Sequence, residues 1–268
     1  GGGAAAGDAL PPVPPAVPRG KVEAEPLGRL PSALIDLDLA ALRLRDATLA
    51  PLSAHLTVAG NGAVTIDRLA AHSLGGTVEG KGRFGRDGVE VDLALAGLDA
   101  GGLGLSAGRL ALAGGRLDGH ARLAAAGLGA ATLAATLGGE ARFEVHDGEI
   151  RGFDLAAANA KLERRDLAGL FGGGLAGGGT TRFTTLSATL KADHGTLSSR
   201  DLTLAAEGGR LSGVGSVELA ARRVEAQLRL APAGAGLPPV GLGLHGKLES
   251  PDVVLDANAL QRALGGRR

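Results

Sequence analysis

The sequence predicts a mainly β protein: an elongated, curved antiparallel sheet or β-groove built from repeats, with one to three short helices. Three observations predict it. Aliphatic residues recur with period two along most of the chain, glycine-bearing turn signals separate the runs, and one stretch of the pattern returns later without a gap. The composition agrees, because 47 of 268 residues are Gly and only five, all Phe, are aromatic. Small aliphatic side chains suit a thin-walled sheet.

Residues 1–30 carry Gly and Ala followed by Pro11, Pro12, Pro14, Pro15 and Pro18, which reads as an extended polyproline linker. A ligand for proline-recognition domains is the other reading of the same residues. The β-repeat domain is expected over 31–256. It opens with Ile35, Leu37 and Leu39 alternating against Asp36, Asp38 and Ala40, as in a strand with one apolar and one wet face. The alternation returns at Val89 to Leu95, Arg109 to Leu112, Arg142 to Val145, Leu202 to Leu204, Leu211 to Leu219, Val224 to Leu230 and Leu242 to Leu248. Turns are expected at Gly60-Asn61-Gly62, Arg86-Asp87-Gly88, Asp118-Gly119, His146-Asp147-Gly148 and His194-Gly195. Two segments break the pattern. Asp154 can cap a helix running through Phe171, with Leu155, Leu162, Leu167 and Leu170 on one side and Gly172-Gly173-Gly174 ending it. A shorter helix fits Ala130 to Leu137, and the basic tail, 257–268, could hold a third over Ala257 to Leu264. The Gly-rich stretch from Gly172 to Gly179 reads as a loop.

The repeat lays Gly62-Ala63-Val64-Thr65-Ile66-Asp67-Arg68-Leu69 over Gly195-Thr196-Leu197-Ser198-Ser199-Arg200-Asp201-Leu202. At the same displacement, Gly75 to Gly82 falls on Gly208 to Gly215. The unit is turn, strand, strand, Gly-Gly turn, Gly-broken strand, and a partial copy begins at Asp147-Gly148-Glu149-Ile150. Units that cannot bury a face alone stack into elongated structures.

Charge and composition exclude several classes. Twenty-eight basic residues balance 28 acidic ones, leaving no net charge to attract a polyanion, and the five scattered Phe offer no stacking platform, so no nucleic acid is expected as a partner. Without Cys there is no thiolate metal site or thiol nucleophile. Aliphatic runs are all interrupted well short of the roughly 18 to 20 residues of a membrane span. In so Gly-rich a chain, a pattern needing three glycines at fixed offsets occurs by chance about once or twice. Gly241 to Gly246 matches a dinucleotide fingerprint but follows Pro238-Pro239 and precedes strand-like sequence, where no helix can start. Gly75 to Lys81 resembles a phosphate loop but has Gly82 where Ser or Thr must meet magnesium. Gly104-Leu105-Ser106-Ala107-Gly108 has the nucleophile-elbow spacing, yet strand-like sequence follows it, so a hairpin is expected. The six His are spread singly. Catalytic residues, metal ligands and cofactors are therefore expected to be none.

Several segments resemble AsmA-like proteins. Asp147-Gly148-Glu149-Ile150-Arg151-Gly152-Phe153-Asp154-Leu155 is similar to that family's DGxIxGxDL segment, which precedes a helix there too. Thr180 to Thr189 resembles its T-x-F-x-x-L-S-A/G-T strand, Gly213 to Leu219 its G-x-G-x-V-D-L segment, and Gly246 to Pro251 its closing G-x-L-x-x-P. Glu149 and His194 depart from the commoner residues, both in turns. The resemblance implies a protein of the bacterial periplasm, anchored to the inner membrane through an N-terminal helix and acting in outer-membrane biogenesis. It also implies kinship with bridge-like lipid-transfer proteins. The chain has no Met and starts at Gly1-Gly2-Gly3, so a segment of a longer product, with the anchor outside it, is expected.

Period-two strands and resemblance lead to one mechanism: aliphatic residues on a concave face shelter acyl chains while headgroups stay wet. Each sheltered CH₂ would contribute about 0.8 kcal/mol. The expected partners are phospholipid or another envelope lipid and the inner and outer membranes, with Leu202, Leu204, Leu228, Leu230, Leu242 and Leu244 as the groove lining. Two alternatives stay open. In one, the same leucines form an ordinary sandwich core with no cavity; in the other, the domain is a structural or regulatory module that contacts outer-membrane assembly proteins through its strand edges.

Overall fold

The computed structural model describes residues 32–44, 47–127, 129–164, 166, 178–234 and 237–255. The first half contains β1 (Ala33–Leu39), β2 (Leu42–Leu44), β3 (Ala47–Leu49), β4 (Leu52–Val58), β5 (Val64–Ser73), β6 (Gly76–Gly85), β7 (Gly88–Asp99), β8 (Ser106–Ala107) and β9 (Leu110–Ala126). The second contains α1 (Ala130–Thr136), β10 (Gly138–Arg151), α2 (Leu155–Glu163), β11 (Thr180–Asp193), β12 (Thr196–Ala206), β13 (Gly209–Glu218), β14 (Arg223–Pro232), β15 (Val240–Lys247) and β16 (Ser250–Leu255). Except for the small β2–β3 hairpin, all strands join one open, antiparallel 14-stranded sheet in the order β1-β4-β5-β6-β7-β9-β10-β11-β12-β13-β14-β15-β16, with β8 paired to β9 alone. The expected linker, 1–30, and tail, 257–268, lie outside the described residues, as do Leu167, Leu170, Phe171 and most of the Gly-rich loop.

Strand alternation gives this sheet two chemically distinct faces. One cross-strand row runs Leu37, Ala54, Leu69, Gly80, Leu93, Ala121, Ala141, Leu190, Ser199, Gly215, Ala226, Leu244, Val253. It crosses every strand of the path and meets a single polar side chain, the buried Ser199. The adjacent positions point the other way. There Lys81, Asp92, Arg122, Glu140 and Lys191 stand in one row of alternating sign. The apolar face is the inner one, because a single buried cluster joins strands distant in the order: Leu98, Leu117, Val145, Phe183, Leu204, Leu230 and Val240, together with Leu155, Ala158 and Leu162 of α2.

Helix α2 lies against this inner face and is fixed at its start. The Asp154 carboxylate accepts the Ala157 N–H at 2.8 Å, the expected N-cap. Thr181, buried on β11, accepts the Leu155 N–H at 3.0 Å and donates to the Phe153 carbonyl at 2.7 Å. The helix stops at Glu163, short of the expected Phe171, with Arg164 as its C-cap.

Two expected turns are not turns. Asp118-Gly119 lies within β9, where Gly119 faces Phe143 across the strands and a Cβ would sit 3.0 Å from the Arg142 carbonyl. His146-Asp147-Gly148 lies within β10 as a bulge, with Asp147 at φ 51°. A Cβ on Gly148 would overlap the ring of Phe183 at 2.2 Å, so glycine here seats that ring rather than reversing the chain. The segment read as the start of a further copy is thus the end of a long strand.

The main repeat holds in three dimensions. On β5–β6, Ile66 pairs Gly82 and Leu69 pairs Gly80, with a bulge between them. On β12–β13, Ser199 pairs Gly215 and Leu202 pairs Gly213, with a bulge at the same place. The remaining pairs, from Val64 with Phe84 to Ser73 with Gly76, map onto Leu197 with Val217 to Ala206 with Gly209 at the same displacement. The two units therefore share register and bulge as well as glycines.

Candidate functional site

Where β11 to β16 curl over, the inner face bounds a cavity of ≈ 460 Å³. Its floor carries Leu204 and Leu211, paired across β12 and β13, with Leu228, Leu242 and Leu244 from β14 and β15. The opposite wall comes from far away in sequence: Ala107 and Leu110 of the β8–β9 hairpin, and Ile150 and Phe153 at the end of β10. The hairpin reaches the last strand, since a Cβ on Gly108 would come within 2.7 Å of Pro251. Its size is that of a small-molecule pocket and its lining is mainly apolar.

Of the six leucines expected to line a groove, Leu204, Leu228, Leu242 and Leu244 line this cavity. Leu230 is fully buried in the neighbouring cluster that packs against α2, so it acts as core. Leu202 is half-buried and paired with Gly213 on the same face, outside the cavity lining. Cavity and core thus share one face, and Leu204, Leu211 and Leu242 belong to both. The far wall was invisible in the sequence, because hairpin and floor lie some hundred residues apart and only the curl of the sheet brings them together. The one local hint was Phe153, beside the Asp154 cap.

The charged groups nearest the cavity are exposed at its border, and other charged pairs stand on the outer face. Arg109, Glu249 and Asp252 border the cavity. Glu249 is ion-paired with Arg222. Its own backbone N–H and that guanidinium outweigh the opposing effect of burial and hold its carboxyl below the usual range. On the outer face, burial pushes the Asp92 carboxyl up, but Arg122 at 3.1 Å and His120 at 2.7 Å outweigh this and keep it low. The Asp201 carboxyl is also held low, chiefly by the Thr189 N–H that it accepts at 2.8 Å across the β11–β12 bulge.

Other sequence motifs take up structural places. Ser106 lies in the β8–β9 hairpin, as expected, and Gly241 to Gly246 run along β15. Among the described residues, no group of three or more His, Asp or Glu could hold a metal ion, and no helix is long and apolar enough to cross a membrane. No family model, curated protein or solved structure matches the chain significantly.

Proposed function

We propose that this chain shelters or conducts the acyl chains of a phospholipid or related envelope lipid, without catalysing a reaction on them. The observation that carries the reading is the inner face: a row without a formal charge from Leu37 to Val253, its one polar side chain the buried Ser199, that opens into a leucine-lined cavity, with every formal charge of the row beside it turned outward. Such a surface favours aliphatic chains over polar ligands, since a buried headgroup would find no partner there. The resemblance to AsmA-like proteins supports a setting in the periplasm, between the inner and outer membranes.

Mass spectrometry of lipids co-purifying with the domain tests it. Lipid is expected with the parent chain and lost from Leu228→Asp. Leu244→Trp, which fills the cavity without introducing charge, should lower occupancy while leaving the fold intact by circular dichroism. Equal lipid in all three would overturn the reading.

One observation favours a second function, assistance to outer-membrane protein assembly. The sheet is not closed, and β1 and β16 each end it with an edge that no described strand pairs. Crosslinking in cells separates the two, giving protein adducts at the edges for a docking module and lipid adducts on the inner face for a conduit.

A further inference from the structure

From β12 to β16 the inner face is built of cross-strand rows two residues apart along each strand. Gly215, Ala226, Leu244 and Val253 form the first, Gly213, Leu228 and Leu242 the second, and Leu204, Leu211, Leu230 and Val240 the third. The cavity takes in Leu244 and Val253, then Leu228 and Leu242, and reaches the third row at Leu204 and Leu211 alone. Leu230 and Val240 complete that row at 1% and 2% exposure, inside the cluster that contains Leu155, Ala158 and Leu162 of α2. The apolar floor therefore continues beneath the helix, and α2 is packed on it where the cavity stops.

The helix is held unevenly. Its first turn is pinned by the Asp154 cap, by the two Thr181 hydrogen bonds and by the β12–β13 turn, where a Cβ on Gly208 would come within 2.8 Å of the Leu155 carbonyl. Further along, Asn159 is 8% exposed and its amide N–H donates to Glu163 at 2.9 Å, but its Oδ1 accepts nothing from the described residues. A buried acceptor without a donor disfavours the conformation that buries it, and water reaches it once the helix lifts. Nine residues are also too few to make a stable helix alone, so α2 depends on the packing of Leu155, Ala158 and Leu162.

At about 30 Å³ per methylene, the share of a water molecule in the liquid, the ≈ 460 Å³ of the cavity holds on the order of fifteen of them. We propose that α2 is a hinged stop that sets the length of chain the cavity takes. Shorter chains lie between Val253 and Leu211 with the helix down. Longer ones continue over Leu230 and Val240 and lift Ala158 and Leu162, while Thr181 holds the first turn. The stop rests on the acyl-chain reading of the cavity, and the two fail on different outcomes.

Amide exchange of the chain saturated with decanoate or with oleate tests it. Decanoate should leave α2 as protected as in the free chain. Oleate should raise exchange about tenfold from Ala158 to Glu163, because the undocked turns are too short to stay helical, and spare the Leu155 amide. Asn159→Leu, which replaces the unpartnered amide by an apolar group of similar size, should hold the helix down and weaken oleate binding about tenfold, with decanoate binding as in the parent. Asp154→Ala, at a residue outside the cavity lining, should loosen the helix and tighten oleate without changing decanoate. Equal α2 protection with both acids, or oleate affinity unchanged in both variants, overturns the stop. Failure of the parent chain to bind either acid overturns the acyl-chain reading itself.

Discussion

The two repeat units share one register but do different things with their inner faces. In the second, the loop between β10 and β11 forms α2, which folds back over the sheet and turns Leu204, Leu211 and Leu230 into buried core. In the first, the equivalent connection between β1 and β4 is the β2–β3 hairpin, and Leu69, Leu93 and Val91 remain half-buried. The same strand pattern thus carries a larger buried cluster, packed against α2, in the second unit, while in the first the counterpart of Leu204, Ala71, is buried but Val78 and Leu95 stay half-buried. Strand sequence sets the greasy face; the inserted connection decides whether that face is core or binding surface.

The largest expected contrast lies under α2. Leu230 and Leu95 occupy equivalent positions, paired with Leu211 and Val78 respectively. Leu230, only 1% exposed, should cost about 3 kcal/mol when changed to Ala, whereas Leu95→Ala should cost about half as much. Urea midpoints at constant slope check this; equal losses would mean that α2 does not roof the second unit.

The glycines should behave alike in both units. A Cβ on Gly213 would meet the Gln227 carbonyl at 2.3 Å and Leu228 Cδ2 at 2.7 Å; one on Gly80 would meet the Asp92 carbonyl at 2.5 Å and Leu93 Cδ2 at 2.7 Å. Each glycine lets the leucine of the next strand fold over it. Gly213→Ala and Gly80→Ala are expected to destabilise by a similar amount, about 1–3 kcal/mol. A neutral result at either site would break the equivalence of the repeats.

Removing the helix cap should act on one unit alone. Asp154→Ala is expected to cost about 1 kcal/mol and to raise amide exchange in α2 and β11 while leaving β4 to β7 unchanged. A smaller contrast concerns acid. Asp201 stands where the first unit has Arg68, and its carboxyl is held below the ordinary 3.8 by the Thr189 N–H. A depressed carboxyl contributes stability that is complete above its unfolded value and is lost as pH falls toward the folded one. Protection of the Thr189 amide should therefore decline below about pH 4 in the parent chain, whereas in Asp201→Ala, which removes the acceptor, it should be low and show no such decline.

Much of this was legible in the sequence because period-two alternation and glycine spacing are local. The runs around Val91, Leu228 and Leu242 and the repeat carrying Leu69 onto Leu202 are read directly, and Asp154 announces α2 through its cap chemistry. Asp118-Gly119 and Asp147-Gly148 misled for a physical reason. A turn, a bulge and a close strand approach use the same residue types: Gly119 lies in regular pairing close to the Arg142 carbonyl, and Gly148 makes room for the Phe183 ring, and only those cross-strand partners distinguish them from glycines that reverse the chain. The division of the six leucines between cavity and core depends on where α2 lands, and the far wall of Ala107, Leu110 and Ile150 depends on the curl of the whole sheet. Neither is written in any single segment.

The most direct test is photocrosslinking of the purified chain with a diazirine-bearing fatty acid, followed by mapping of the adducts. The inner face as an acyl-chain site predicts adducts at Leu228, Leu242 and Leu244, with the outward neighbours Gln227 and Arg229 unlabelled. Adducts spread equally over both faces of β14, or concentrated on the outer one, would contradict it.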